Sequence, residues 1–163
     1  MEIERTVHPD RPTADSFARE QVSPKPIVMV NLLRFRERAD YSGTGIDAAP
    51  ASGKEAYERY GQAVVKLLWR EGGQLLWAGN VRASLVAPSY ERWDQVALVY
   101  YPSRAAFVRM VSSEEYQKIV GHRTAALEDS RLLETRPTRL PKVVLAATRL
   151  AVRARERLRT RGH

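Results

Sequence analysis

The chain of 163 residues is 44% hydrophobic and 28% charged, the profile of one globular domain or one domain with an appendage. It has no cysteine, which excludes a disulfide scaffold, a thiolate metal site and a cysteine nucleophile, and it has no apolar run of about 18 residues that would span a membrane as a helix. The net charge of +8 is concentrated: eight basic residues and one acid lie between Arg139 and His163, so residues 1–138 carry only +1 and the main support for nucleic-acid binding by the body is gone.

Residues 1–25 are polar, with Pro9, Pro12 and Pro24 and no sustained periodicity. They are expected to form a loosely ordered lead-in with a short helical turn around Asp15–Gln21. The start, Met1 to Arg5, is charged and lacks a signal-peptide core, so the expected address is cytoplasmic. Ile27–Phe35 is a β-rich apolar run behind Pro26 and predicts a buried central strand. Residues 37–51 predict a loop.

Ser52-Gly53-Lys54-Glu55 fits a capping box, in which hydroxyl and carboxylate satisfy orphaned N–H groups. The helix it opens carries Ala56, Tyr60, Val64, Leu67 and Leu68 at helical spacing and stops at Gly72-Gly73. Leu75–Ala87 and Arg92–Tyr101 predict two extended segments around a turn at Pro88, Ser89 and Tyr90. Ser103 is the expected N-cap of a second helix that breaks near Val111, restarts at the capping box Ser112-Ser113-Glu114-Glu115 and runs to about Leu127. Arg131–Thr135 predicts a short last strand.

The order β-α-β-β-α-β in one open sheet predicts an α+β ferredoxin-like sandwich over residues 26–137, with helices on one face only. The strands nevertheless look apolar on both sides: Val28, Val30 and Leu32 on one face, Met29, Leu33 and Phe35 on the other. An uncovered apolar face needs a partner, and a second copy is the simplest, which predicts a homodimer closed as a dimeric α+β barrel. Beyond Pro137, Val144, Ala147, Ala151, Ala154 and Leu158 share a face opposite Arg149, Arg153 and Arg157, so residues 138–163 predict a basic amphipathic C-terminal helix. It has no aromatic anchor, and 22 Arg against 5 Lys marks a compositional bias, so nucleic acid or a membrane surface is only weakly suggested as its partner.

The segment from about Pro26 to Arg136 resembles the bacterial family of domain of unknown function 1330, within the dimeric α+β barrel superfamily. The residues that carry the likeness are Met29–Phe35, Gly72-Gly73, Trp77-Ala78-Gly79, Trp93-Asp94, Tyr101–Phe107 and His122–Arg131. The resemblance implies the ferredoxin-like fold and the dimer, and no agreed activity.

Four residues could carry chemistry. Asn31 interrupts the apolar central strand and needs a partner in protein, water or ligand. Asp94 follows Trp93, so a carboxylate beside an aromatic ring could serve as a general base, or as a hydrogen-bonded turn residue. His122 supplies a proton shuttle and Arg123 a carboxylate clamp, together suited to a small acidic substrate; the structural alternative is a helix end paired with an acid such as Asp129. Aromatic side chains recur in the helix and hairpin, among them Tyr57, Tyr60, Trp69, Trp77, Trp93, Tyr100 and Tyr101, more often core than pocket wall. The expected ligand-binding set is Asn31, Tyr60, Trp77, Trp93, Tyr101, His122 and Arg123.

Three histidines, two of them near the ends, predict no metal site, and no nucleotide or serine-hydrolase motif is present. No cofactor is expected. The leading expectation is a homodimeric protein that binds a small apolar or acidic ligand, or a cofactor-free enzyme of the barrel superfamily, with catalytic status open. Two alternatives stand beside it: a heme-handling or monooxygenase-type enzyme, and a non-catalytic regulatory or adaptor dimer that uses its basic tail. A heme pocket would combine Asn31, Trp93 and His122, but the last two are 29 residues apart on different elements.

Overall fold

The computed structural model describes residues 5–19 and 24–137. The basic helix expected over 138–163 lies outside the described residues. The elements are α1 (Arg11–Arg19), β1 (Ile27–Phe35), α2 (Gly53–Arg70), β2 (Gln74–Asn80), β3 (Gln95–Tyr101), α3 (Arg104–Ser112), α4 (Glu114–Ala126) and β4 (Leu127–Thr135). The strands form one antiparallel sheet in the order β2-β3-β1-β4. That is the ferredoxin-like arrangement, with α2 and the α3–α4 pair as its two crossovers. β1 is interior because its residues pair on both edges, Asn31 with Ala97 on one side and Leu132 on the other.

The local signals act as expected at the starts of α2 and α3, while at α4 the expected capping box from Ser112 gives way to a cap at Ser113, with Tyr116 in place of a carboxylate at its third position. The Ser52 hydroxyl accepts from the Glu55 N–H while the Glu55 carboxylate accepts from the Ser52 N–H at 2.7 Å, a complete capping box. Ser103 caps α3 through the Ala106 N–H, and Ser113 both ends α3 and caps α4 through Tyr116, so the helix breaks one residue after Ser112. Gly72, with φ +72°, lets the chain turn from α2 into β2.

Four boundaries differ from the sequence reading. The N-terminal helix begins earlier, at Arg11, because the Asp10 carboxylate accepts from the Thr13 N–H at 2.7 Å and Pro12 falls in the first turn. Within the lead-in, this helix is held by Phe17, edge-on against Phe107 at 5.8 Å, and residues 6–7 are hydrogen-bonded to β4 and α4. β2 stops at Asn80 rather than Ala87. Asp94 closes the ladder there: its N–H donates to the Leu33 carbonyl, its carbonyl accepts from the Val81 N–H, and its carboxylate accepts from the Phe35 N–H. Residues 81–94 are therefore a loop. β4 starts at Leu127, directly out of α4, because a register shift between Arg34 and Phe35 lets the pairing extend back to Leu127.

Both helical layers are pinned to the same point on β1's exit. The Arg36 N–H donates to the Ala126 carbonyl at 2.9 Å, and the Arg36 carbonyl accepts from the Gly53 N–H at 3.1 Å. A Cβ on Gly53 would lie 2.4 Å from the Arg36 carbonyl oxygen and 2.5 Å from that of Ala126. Backbone cannot yield there as a side chain would. Gly53→Ala is therefore expected to destabilise the domain by about 3 kcal/mol or more, against about 1 kcal/mol for Ser52→Ala, which loses only the cap. Urea denaturation of the two variants beside wild type checks the ranking.

Candidate functional site

The helix-facing side of the sheet carries two separate apolar clusters. One gathers Ile27, Met29, Leu68, Tyr101 and Met110; the other gathers Leu33, Ala56, Ala126 and Leu127. On β1 the helix-facing residue between them is Asn31. Register aligns Asn31 with Ala97 and Leu132, and Ala97 with Ala78, so the row Ala78–Ala97–Asn31–Leu132 crosses the whole sheet. The adjacent row holds Leu75, Val99, Met29 and Glu134. Two alanines beside the amide make this row low, a trough in the relief of side chains at a level where a filled core would carry large ones. Along it Asn31 is half-buried, Ala97 is buried and Ala78 at the β2 edge is exposed.

The helices face this trough with phenols. Tyr57 packs on the second cluster and on Phe35 at 5.4 Å, Tyr116 packs on the first, and the Tyr60 ring lies between them, 5.5 Å from Tyr57 and 6.2 Å from Tyr116. The Tyr60 hydroxyl donates to that of Tyr116 at 3.3 Å. Burial first, then the neighbouring phenols, holds Tyr60 well above its ordinary pKa, and burial raises Tyr57. Both are neutral O–H donors at physiological pH. Asn31 donates to the Met29 carbonyl at 3.3 Å, its one hydrogen bond among the described residues.

Arg123 enters from α4 and is buried. Its Nη1 donates to the Val7 carbonyl at 2.9 Å and its Nη2 to the Ser130 hydroxyl at 3.2 Å. Ser130 opposes Leu33 on the helix-facing side of the sheet, so the guanidinium stands one row from the Asn31–Leu132 pair. Asn31, Tyr60 and Arg123, three of the residues singled out in the sequence, thus come together. Tyr57, named among the recurring aromatics but not in the expected binding set, joins them, as do Tyr116 and Ser130, which were not singled out. Tyr57 and Tyr60 share a helical face by their spacing, but Tyr116 and Ser130 reach this place only through tertiary packing.

The other candidates lie elsewhere. His122 is rotated about 100° from Arg123 around the helix. It shares a 2.9 Å hydrogen bond with the Tyr41 hydroxyl, in the segment that crosses the end of α4 through the Asp40 N–H to Ala125 carbonyl bond. Trp93 donates from Nε1 to Glu91 at 2.8 Å and lies under the Arg131 guanidinium, on the side of the sheet away from the helices. Asp94 is engaged by the Phe35 N–H, Tyr101 belongs to the first apolar cluster, and Trp77 pairs with Leu98 on the helix-free face. Asn31, Trp93 and His122, the set a heme pocket would combine, occupy three different places. Among the described residues Arg123 pairs with no acid; Asp129 instead holds Arg131 and the Thr6 and Ser130 N–H groups.

Among the described residues no group of three or more His, Asp or Glu side chains could hold a metal ion, and no helix is long and apolar enough to cross a membrane.

The comparisons with known proteins agree with this architecture. The family model for a domain of unknown function, DUF1330, matches residues 49–135. A protein of unknown function from Rhodopseudomonas palustris, solved as a crystal structure, is 36% identical over 84% of this chain and all (100%) of its own, with a TM-score of 0.76. The chain belongs to the DUF1330 family. The methylated form of the Rhodopseudomonas palustris protein matches this DUF1330 chain equally, at 37% identity, 84% and 98% coverage and a TM-score of 0.76. A hydroxynitrile lyase from Passiflora edulis, 10% identical with 73% and 99% coverage and a TM-score of 0.50, shares the fold with the DUF1330 domain. No curated protein matches the chain in sequence.

Two imidazoles give the DUF1330 domain a pH dependence. His8 and His122 are both held below the ordinary value of 6.5, by burial first, then by Arg123 for His8 and Arg59 for His122. A lowered folded-state pKa means that the unfolded chain takes up protons first as pH falls. Their contribution is complete above about pH 6.5 and is lost on acidification toward pH 5. The urea midpoint is expected to fall across that window, with a shallower slope in a His8→Asn/His122→Gln double variant.

Proposed function

We propose that this DUF1330 protein is a cytoplasmic homodimer that binds a small molecule in the trough between sheet and helices. The observation that carries the reading is the row Ala78–Ala97–Asn31–Leu132 lying beneath the Tyr57, Tyr60 and Tyr116 rings, where the core divides into two clusters. Apolar and aromatic walls with a few polar handles are the usual form of a small-molecule site. The neutral phenols and the Asn31 amide would orient a ligand by hydrogen bonds, and a polarised carbonyl is the chemistry such donors support if the protein is a cofactor-free enzyme. The trough can be tested without a ligand. Ala97→Leu fills space if the trough is open, so its stability is expected within about 1 kcal/mol of wild type; in a packed core the same change costs about 1–3 kcal/mol. A loss in the upper part of that range by urea denaturation would refute the trough.

The dimer rests on the other sheet face. Val28, Val30, Leu32 and Leu98 lie there with no helix of the described residues over them, and Trp77 and Leu133 are 54% and 50% exposed. A contiguous apolar face of this kind marks an interaction surface. Multi-angle light scattering is expected to give twice the chain mass for wild type and the single-chain mass for Val30→Asp. A wild-type monomer at micromolar concentration would sink the face-to-face arrangement.

A further inference from the structure

Arg123 is 9% exposed, yet both of its hydrogen-bond acceptors, the Val7 carbonyl and the Ser130 hydroxyl, are neutral. No carboxylate among the described residues pairs with it. The other arginine counted among the buried side chains is treated differently: Arg104 is gripped by both oxygens of Glu134, at 2.6 and 3.0 Å. The two acids that open β4 are both engaged elsewhere: Glu128 by Arg5 and Arg34, and Asp129, on the opposite sheet face, by Arg131 and two backbone N–H groups. A buried cation without a counter-ion is strongly unfavourable, and a neutral side chain would serve the two contacts seen. Guanidinium carries five N–H donors, of which two are used here. Ser130 opposes Leu33 on the helix-facing side of the sheet, one row from Asn31, and Tyr57 packs on the Leu33 cluster, so the guanidinium stands one row from the amide and near a phenol.

We infer that the trough takes an organic anion, a carboxylate on an apolar or aromatic body, whose charge Arg123 neutralises. The inference rests on the trough being the ligand site and adds the chemical class of what it holds. The carboxylate would receive the unused guanidinium N–H groups and a phenolic O–H, while its body lies over the Ala97–Asn31 row against the tyrosine rings. Arg123 then has two tasks, securing the N-terminal segment at Val7 and supplying the positive charge at the trough.

Benzoate and phenylacetate, each beside its uncharged amide, can be titrated into the full-length protein and followed by NMR shifts of Ala97, Asn31 and Tyr60. In wild type the acids are expected to bind about tenfold or more tightly than the amides, as a charge-assisted bidentate contact implies. Arg123→Gln should bring acid and amide to parity, and Arg123→Lys, which keeps the charge, should retain part of the preference. If acid and amide bind equally to wild type, the anion inference is overturned while the trough stands. If both perturb only other parts of the molecule, or nothing, the trough reading falls with it. Should Arg123→Gln fail to fold for loss of its Val7 and Ser130 contacts, the wild-type ratio of acid to amide and the Arg123→Lys ratio decide the matter. Unchanged acid preference in a folded Arg123→Gln would remove Arg123 as the counter-ion.

Discussion

Everything in the helix layer hangs from the backbone of Arg36. This one residue receives the end of α4 by donating its N–H to the Ala126 carbonyl, and the start of α2 by accepting from the Gly53 N–H. The contact is possible because Gly53 has no side chain, since a Cβ would meet two carbonyl oxygens at once. Backbone hydrogen bonds in a buried junction are costly to lose, because the freed groups find no water. The bonds therefore fix how closely the two helices approach the sheet at this end. Leu33, Ala56, Ala126 and Leu127 fill the small space that remains.

At the other end the same helices rest on larger side chains, with Leu68 and Met110 against Ile27, Met29 and Tyr101. A layer supported at two ends leaves its middle to whatever side chains the sheet offers there, and the sheet offers two alanines and an amide. Close packing is recovered only partly by the tyrosine rings above. The electrostatics follow the same division. Glu134 lies in the row with Met29 and neutralises Arg104, which lies over the Phe17 ring; Arg123, one turn from the Gly53 junction, has neutral acceptors. Arg104 and Arg131 have carboxylate partners, while Arg123 beside the trough has none among the described residues.

The face without helices poses a separate problem. β1 is apolar on both sides because, like β3, it has neighbours on both edges, and it carries no charge on either face until Arg34. Arg34 and Arg5 share Glu128, and Arg131 pairs with Asp129 and covers Trp93, so charge is gathered at one end of the sheet. The middle, from Val28 to Leu32 with Leu98 beside them, is left to apolar contact. That distribution suits a surface closed by a second apolar face with a polar rim.

The sequence by itself determined the local events: the capping box at Ser52, the cap at Ser103, the helix break beside Ser112 and Ser113, the glycine stop after α2, the interior strand Ile27–Phe35 and hence the β-α-β-β-α-β order. These are set by hydrogen bonds and torsions within a few residues, so they can be read from a few residues. The family likeness was legible for the same reason, in short segments kept in order. The strand ends were not, because Asp94 stops β2 and β3 through Leu33 and Phe35, and α4 passes into β4 through a register shift with Arg34. The site was half legible. Asn31, Tyr60 and Arg123 stand out as an amide in an apolar strand, a ring on an apolar helix face and a cation near a helix end, while His122, Trp93, Trp77 and Tyr101 stand out equally and face elsewhere. Which of them meet was decided by the antiparallel register, which puts Ala97 and Ala78 beside Asn31, and by the Gly53 junction, which sets Tyr57, Tyr60 and Arg123 over that row. Pairings between distant strands leave no mark on either strand alone, so this choice belongs to the tertiary structure.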